Sequence, residues 1–170
     1  MPDHDITLVD CTLAHVKILT AIHNECFDNA WSAPEFKTLL ETPAVFGCIV
    51  QYQSEPAGFI LCRMVADECK ILKLGVRPPY RWHGIADRLL EKLILDIKRL
   101  KIAKIFLEVA ETNEVALNLY NGKDFIEFSR RENDYNNPDG RIDAFILAKN
   151  TIISQEYEQK NWLIVLNYYR

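Results

Sequence analysis

The clearest periodic pattern in the chain is an apolar stripe that begins directly after Gly84. Apolar residues recur at intervals of three and four positions while charged residues fill the other face, which predicts an amphipathic helix. The stripe consists of Ile85, Leu89, Leu90, Leu93, Ile94, Ile97 and Leu100. Weaker stripes predict helices over residues 11–27 and 113–123. Ser32, with Glu35 three positions later, forms a capping box that starts a further short helix.

Segments rich in β-branched and aromatic residues predict seven strands between these helices. They lie at residues 5–9, 45–52, 58–65, 69–76, 104–110, 125–130 and 141–148. Residues 132–140 are polar and predict a loop between the last two strands. Short turns join the strands between residues 45 and 76 into an antiparallel meander, and the later strand–helix–strand order indicates a βαβ unit. We therefore expect an α/β (mixed α+β) fold, with a central mixed sheet and helices on both faces.

Composition narrows the class of protein. The chain has 170 residues, of which 49% are hydrophobic and 26% charged, and this is enough for one domain with its own core. A net charge of −4 argues against nucleic acid as a partner. No apolar run reaches the roughly 18 residues of a membrane span, and the N-terminus does not resemble a secretory signal. Five cysteines without a CxxC pair indicate a reducing compartment, so we expect a cytoplasmic protein without membrane contact.

One spacing is compatible with a zinc site. Cys11 and His15 are followed by His23 and Cys26, and these four side chains are of the types that bind zinc. The residues between the two pairs are apolar and helical rather than turn-forming. We therefore expect a core cysteine and surface histidines at these positions, and no metal.

The segment between the third meander strand and the long helix has the features of an anion site. The strand ends at Val76, a short loop carries Arg77 and Arg81, and Gly84 opens the helix. Backbone N–H groups, the helix dipole and two arginines together suit a pyrophosphate. The loop has neither the GK[ST] of a Walker motif nor a GxGxxG. The same features also fit an ordinary helix N-terminus.

Two further residues add chemistry to this pattern. Glu108 interrupts an otherwise apolar strand, where a carboxylate is costly unless it faces a cleft or has a partner. Tyr120 follows Asn113 by seven positions, so the two share a helix face. A salt-bridged glutamate and a core tyrosine are the structural alternatives. An acid, a base and an anion cradle together suggest group transfer from a phosphate-bearing donor.

Residues 5–149 resemble the GNAT superfamily of N-acetyltransferases, and within it the type that acetylates the N-terminal alanine of a ribosomal protein. The resemblance rests on RWHGIA at residues 81–86, on LEVAETNEVALNLY at residues 107–120, and on an early Trp31-Ser32. It also rests on a late motif formed by Arg130, Arg131, Tyr135, Asp139, Gly140, Asp143 and Ala144. Asp87 stands where the family often has a basic residue, and Asp134 replaces an aromatic one.

The resemblance implies a set of roles around acetyl-CoA as cosubstrate. Glu108 is the general base, acting through water, and Tyr120 is the general acid for the departing thiolate. Asn113 contacts acetyl-CoA, and Trp31 and Tyr135 line the acceptor site. The backbone of Leu74, Gly75 and Val76 pairs with the pantetheine. The pyrophosphate is held by Arg81, Trp82, His83, Gly84, Ile85, Ala86 and Asp87.

The acceptor and the assembly remain open at this point. A protein N-terminus is the leading acceptor, a small-molecule amine or a lysine side chain is the alternative, and a non-catalytic acetyl-CoA-binding module is a third reading. The chain is expected to be a monomer or a homodimer. Residues 1–150 form the predicted domain. Residues 151–170 are too apolar to remain free in water, so we expect them to dock on the domain or on a second subunit.

Overall fold

One mixed sheet of seven strands runs through the protein. The computed structural model describes residues 6–137 and 140–152, of which residues 133–137 are described by their backbone alone. The strands are β1 (Ile6–Asp10), β2 (Val45–Tyr52), β3 (Glu55–Val65), β4 (Glu68–Val76), β5 (Lys104–Ala110), β6 (Ile126–Asn137) and β7 (Gly140–Asn150). The helices are α1 (Val16–Cys26), α2 (Ala33–Glu41), α3 (Ile85–Arg99) and α4 (Glu114–Asn121), with single 3-10 turns at Leu13–His15 and Pro78–Tyr80.

The predicted fold class and element order are confirmed. The strand order in the sheet is β1-β2-β3-β4-β5-β7-β6, and all neighbours are antiparallel except β4 and β5. The predicted polar loop at residues 132–140 is wrong for most of its length, because β6 continues to Asn137. Polar residues are tolerated there since β6 pairs only with β7 in the described part of the chain, and two register shifts accommodate the extra residues.

Two apolar clusters hold the helices to opposite faces of the sheet. The larger cluster joins the apolar stripe of α3, including Leu89, Leu90 and Ile97, to the sheet and to Tyr120 of α4. The smaller cluster joins Leu19 and Ile22 of α1 and the single buried aromatic of α2 to the other face. Helices therefore cover both faces, as the hydrophobic pattern predicts. None of the helices described is long and apolar enough to cross a membrane.

The two central parallel strands pair over a short distance and then separate. The ladder between β4 and β5 comprises the four residue pairs from Glu68–Lys104 to Ile71–Leu107. Beyond these pairs β4 continues along β3 only, and β5 continues along β7 only. A register shift between β3 and β4 coincides with this point and leaves Leu72 as an extra residue. Such a bulge bends the strand, and here it directs β4 away from β5.

A buried ion pair closes the paired end of this junction. Lys104 Nζ lies 3.0 Å from Glu68 Oε1, and the two side chains retain only 10% and 4% of their exposure. Because the residues are also register partners in the parallel ladder, the pair ties β4 to β5 at the end opposite the opening.

The C-terminal segment lies mostly outside the described residues. Thr151 is described: its N–H donates to the carbonyl of Ala103 and its hydroxyl to that of Ile102, which anchors the end of β7 beside the start of β5. The expectation that the following apolar residues dock on the domain or on a second subunit concerns residues outside the described part of the chain.

The buried pair generates a stability prediction. Lys104→Met should lower the free energy of unfolding by about 3–5 kcal/mol, because Glu68 is left as an uncompensated buried charge. Adding Glu68→Gln should recover part of this loss, since the charge is then removed as well. Lys37→Met, which breaks the exposed Lys37–Glu41 pair on α2, is the control and should cost less than about 1 kcal/mol. Equal losses for the Lys104 and Lys37 variants in urea titrations would contradict the prediction.

Candidate functional site

The separation of β4 and β5 exposes a strand edge in the middle of the sheet. Leu74, Gly75 and Val76 pair with β3 on one side, and on the other side β5 no longer pairs with them. Gly75 also permits close packing here, because a Cβ at this position would lie 3.0 Å from the ring of Phe27 and 3.3 Å from the Cys26 sulfur. The opening therefore offers unpaired backbone groups to an extended ligand, as an edge strand does.

The N-terminus of α3 lies directly after this edge. Gly84 is the N-cap residue with φ +73°, and a Cβ built there would meet no atom within 4 Å. The backbone N–H groups of residues 82–87 donate to no acceptor in the described part of the chain. Unpaired N–H groups at a helix N-terminus bind anions well, so this loop can hold a phosphate group.

The two arginines of the loop have intramolecular partners. Arg77 Nε lies 2.8 Å from Glu25 Oε2 of α1, and Arg77 also donates to the carbonyl of Pro56 at 2.9 Å. Arg81 Nε donates to the carbonyl of Val76 at 3.0 Å. These contacts hold the loop against the end of β4. The contact of Arg81 uses Nε, one of several donors of its guanidinium, and its role as a phosphate ligand stays a prediction.

Asp87 shares a lysine partner with a second carboxylate. Lys123, which follows α4, lies 3.3 Å from Asp87 and 2.7 Å from Glu91. The hydrogen bond that Lys123 donates to Glu91 raises the pKa of Lys123 above its usual value. Since two carboxylates share this one lysine, it offsets the negative charge of Asp87 only in part.

Glu108 lies on β5 where the strands separate. Leu107 and Val109 belong to the core cluster on the α3 face, so the Glu108 side chain points to the α1 and α2 face. Its Oε1 lies 2.9 Å from Lys70 Nζ of β4, and its Oε2 lies 3.3 Å from an Arg131 nitrogen of β6. The side chain is 17% exposed. Two cations from neighbouring strands thus set the orientation of this carboxylate.

Tyr120 lies across the sheet from Glu108, and Asn113 caps the helix that carries Tyr120. The Tyr120 ring is 6% exposed in the α3-face cluster and packs edge-on against Phe125 with a centroid distance of 5.5 Å. Asn113 is the N-cap of α4, and its side-chain oxygen accepts from the Ala116 N–H at 3.1 Å. The structure therefore places the predicted acid and base on opposite faces of the sheet. Both of their elements adjoin the opening.

Trp31 forms an aromatic corner beside the opening on the Glu108 face. Its ring stacks on His23 at 5.1 Å, and Phe27 lies against the same histidine at 4.5 Å. Lys73 Nζ lies 5.0 Å from the Phe27 ring centre and 5.1 Å from the Trp31 ring centre. The Tyr135 side chain lies outside what the structure describes, although its backbone pairs with Ile142.

His23 is buried and holds the Trp31 segment in place. Its Nδ1 accepts from the Trp31 N–H at 3.1 Å, so Nε2 carries the ring proton, and Nε2 has no hydrogen-bond partner among the described residues. Burial, followed by the charge of Lys73, lowers the His23 pKa from its usual 6.5 to about 4. The imidazole is therefore neutral at physiological pH, and its position is inconsistent with the expectation of a surface histidine.

The zinc spacing does not assemble in three dimensions. His15 Nδ1 accepts from the Thr12 N–H at 3.0 Å, while His23 is used by Trp31. Within the described ranges no three His, Cys, Asp or Glu side chains come together as a metal site.

Comparison with known proteins places this geometry in a family. The model of the Acetyltransferase (GNAT) family matches residues 16–125, which is more than half of the chain. The chain belongs to this family. The match runs from the start of α1 to the residue before β6 and so includes the opening, the α3 loop and Glu108.

Individual relatives share the fold over most of the chain. The Escherichia coli K12 protein named ribosomal protein bS18-alanine N-acetyltransferase is 37% identical over 92 residues, which are 54% of this chain and 62% of that protein. The crystal structure of the E. coli ribosomal-protein-S18-alanine N-acetyltransferase superposes with a TM-score of 0.83 at 26% identity, covering 89% of this chain and 97% of that one. Arabidopsis thaliana NAA60, solved in complex with acetyl-CoA, shares the fold with a TM-score of 0.76 at 18% identity, covering 85% and 98%.

Sequence reasoning missed three cations in this GNAT domain. Lys70 and Arg131 contact Glu108, and Lys73 enters the aromatic corner. Arg131 belongs to the late motif, but nothing in that motif indicates its partner. Lys70 and Lys73 are visible as charges within an otherwise apolar strand. The same signal singles out Glu108, and it could have drawn attention to both lysines.

His23 generates a pH-dependent stability prediction. Its pKa is lower in the folded state, so the unfolded state binds the proton first as the pH falls, and stability decreases from about pH 6.5 toward about pH 4. His23→Asn retains an acceptor for the Trp31 N–H and cannot titrate. The loss of unfolding free energy between about pH 7 and about pH 5 should be roughly 2 kcal/mol smaller in this variant than in the unmodified protein. His15→Asn is the control for removing an imidazole. An equal change in the pH dependence of its unfolding free energy would refute the assignment of the effect to His23.

Proposed function

We propose that this protein is an acetyl-CoA-dependent N-acetyltransferase whose acceptor is the α-amino group of a protein N-terminus, with the N-terminal alanine of a ribosomal protein as the leading candidate. The observation that carries the proposal is the opening between β4 and β5. It combines an unpaired backbone edge, the free N–H groups before α3 and a charged carboxylate at one position in the sheet. Family membership supports the chemistry, and the relative named for alanine acetylation supports the acceptor.

The donor fits this opening along its length. The free edge of Leu74, Gly75 and Val76 suits the amide groups of a pantetheine arm, which pair as an added strand does. The unpaired N–H groups of residues 82–87 suit the pyrophosphate that follows. Gly84 leaves open space where a side chain would otherwise block the approach of an anion to these amides.

In the proposed mechanism Glu108 accepts one proton and Tyr120 donates another. The acetyl group comes from the thioester of acetyl-CoA, whose thiol is a good leaving group. Glu108, acting through water, accepts a proton from the amine nitrogen as its bond to the acetyl carbon forms. The Tyr120 hydroxyl donates a proton to the sulfur as the carbon–sulfur bond breaks, so free thiol leaves. Their positions on opposite faces suit this division, because acceptor and donor then reach the opening from different sides.

The charge around Glu108 favours an α-amine over a lysine side chain. Lys70 and Arg131 both contact the carboxylate, so a protonated amine would have to compete with two cations already placed at Glu108. An α-amino group has a reference pKa near about 7.7–8.0, whereas that of a lysine is about 10.4. An α-amine is therefore available in its neutral, nucleophilic form at far lower cost.

The anion cradle generates a binding prediction. Gly84→Val should weaken acetyl-CoA binding severalfold or more in calorimetry, because a branched side chain is strained at a φ of +73° and blocks the approach to the free N–H groups. Gly140→Val is a matched control, since Gly140 also has a positive φ and open space but lies at the start of β7. Unchanged acetyl-CoA affinity in Gly84→Val, or an equal loss of affinity in Gly140→Val, would refute the pyrophosphate site at the start of α3.

The chemistry is tested on a panel of peptides that differ in their first residue. The unmodified protein should acetylate the α-amine of alanine peptides. Tyr120→Phe and Glu108→Gln should each lower kcat by about 10²- to 10⁴-fold with little change in acetyl-CoA affinity. The loss in the Glu108 variant should shrink at high pH, where the amine is already neutral.

Glu41→Gln on the exposed face of α2 is the control for loss of a carboxylate. Full kcat in Tyr120→Phe would identify the tyrosine as a core residue only. Acetyl-CoA binding without acetylation of any peptide or small amine would favour the non-catalytic alternative.

A further inference from the structure

Lys73 lies in the opening on the same face as Glu108. The extra residue at Leu72 puts both Leu72 and Lys73 on the α1 and α2 face, since Lys73 pairs with Leu61, whose side chain belongs to the cluster on that face. Lys73 falls beyond Ile71, in the part of β4 that β5 no longer pairs. An acceptor that brings its amine to Glu108 from this face must therefore pass close to Lys73.

The surroundings of Lys73 are aromatic. Its ammonium lies between the rings of Phe27 and Trp31, at 5.0 and 5.1 Å from their centres. This is the distance range of cation–π contacts, which stabilise the charged form of the amine. His23, stacked on Trp31, is neutral and adds no charge to this corner. The aromatic rings thus fix the position of Lys73 without neutralising it.

Lys73 has no anionic partner of its own among the residues the structure describes. Both oxygens of Glu108 are taken by Lys70 and Arg131. The carboxylate of Glu35 is bonded to Ser32. Burial lowers the pKa of Lys73, an effect that the charge of Glu108 partly offsets. A partly desolvated cation without a paired carboxylate is costly, and an anionic group of a bound ligand would reduce that cost.

We infer that Lys73 is a specificity-determining residue that selects acceptor peptides with an acidic side chain at the second position. The inference rests on the proposed function and adds the substrate class to it. The acidic side chain contacts the Lys73 ammonium in the corner of Phe27 and Trp31, while the α-amine lies at Glu108. A basic side chain at the same position meets an uncompensated cation and is disfavoured.

The test compares peptides that differ only near the α-amine. Three peptides begin Ala-Asp, Ala-Asn and Ala-Lys and are otherwise identical. For the unmodified protein, kcat/KM should be about tenfold or more higher for Ala-Asp than for Ala-Asn, with Ala-Lys lowest. Lys73→Met retains the length of the side chain and should remove the difference between Ala-Asp and Ala-Asn. Lys73→Arg keeps the charge and should preserve the preference.

Controls separate specificity from stability and from the proposed function. Lys37→Met removes an exposed lysine of α2 and should leave the preference unchanged. Thermal unfolding of each variant shows whether the fold is retained, and Lys73→Arg keeps the test decisive if Lys73→Met is unstable. Equal rates for all peptides with the unmodified protein would overturn the inference about Lys73, and so would a preference that persists in Lys73→Met. Either result would leave the proposed function intact. Absence of acetylation of every peptide would contradict the proposed function and the inference with it.

Discussion

The separation of β4 from β5 is the constraint on which the site depends. Two parallel strands that remained paired would use all their backbone groups in the sheet and leave no edge for a ligand. Here the pairing ends after Ile71 and Leu107, at the bulge of β4, while the outer neighbours β3 and β7 keep each strand in place. The protein thereby has an unpaired edge in the middle of the sheet, with helices packed on both of its faces.

Different helices and different charged residues border the opening on the two faces of the sheet. On one face α3 brings its N-terminus to the end of β4, and Arg77 and Arg81 hold the loop there through contacts with Glu25 and Val76. On the other face α1 and the Trp31 segment form an aromatic wall that depends on buried His23. A donor bound at α3 and an acceptor bound along α1 would therefore meet only in the gap between the strands.

The two sides of the opening also differ in the charges that border them. The proposed donor side offers backbone dipoles, and Asp87 in the first turn of α3 is ion-paired with Lys123. On the proposed acceptor side Lys70 and Arg131 contact Glu108 and set the orientation of its carboxylate. Lys73, held near two rings on that side, adds a further positive charge. In the proposed mechanism, the cation inferred to distinguish one acceptor from another therefore lies on the same face as the carboxylate that accepts the proton.

The amino-acid sequence by itself determined the elements and their order. The 3.6-residue stripe of α3, the capping box of Ser32 and Glu35, and the β-branched runs of β2 to β5 depend on local periodicity, which a sequence displays directly. Glu108 could be singled out from the sequence because a carboxylate in an apolar strand is costly unless it has a partner or faces a cleft. The tertiary structure alone decided what that carboxylate contacts, where the parallel ladder ends, and that Arg77 of the loop is paired with Glu25. These contacts join residues 23 to 52 positions apart, and only the folded sheet brings such residues together.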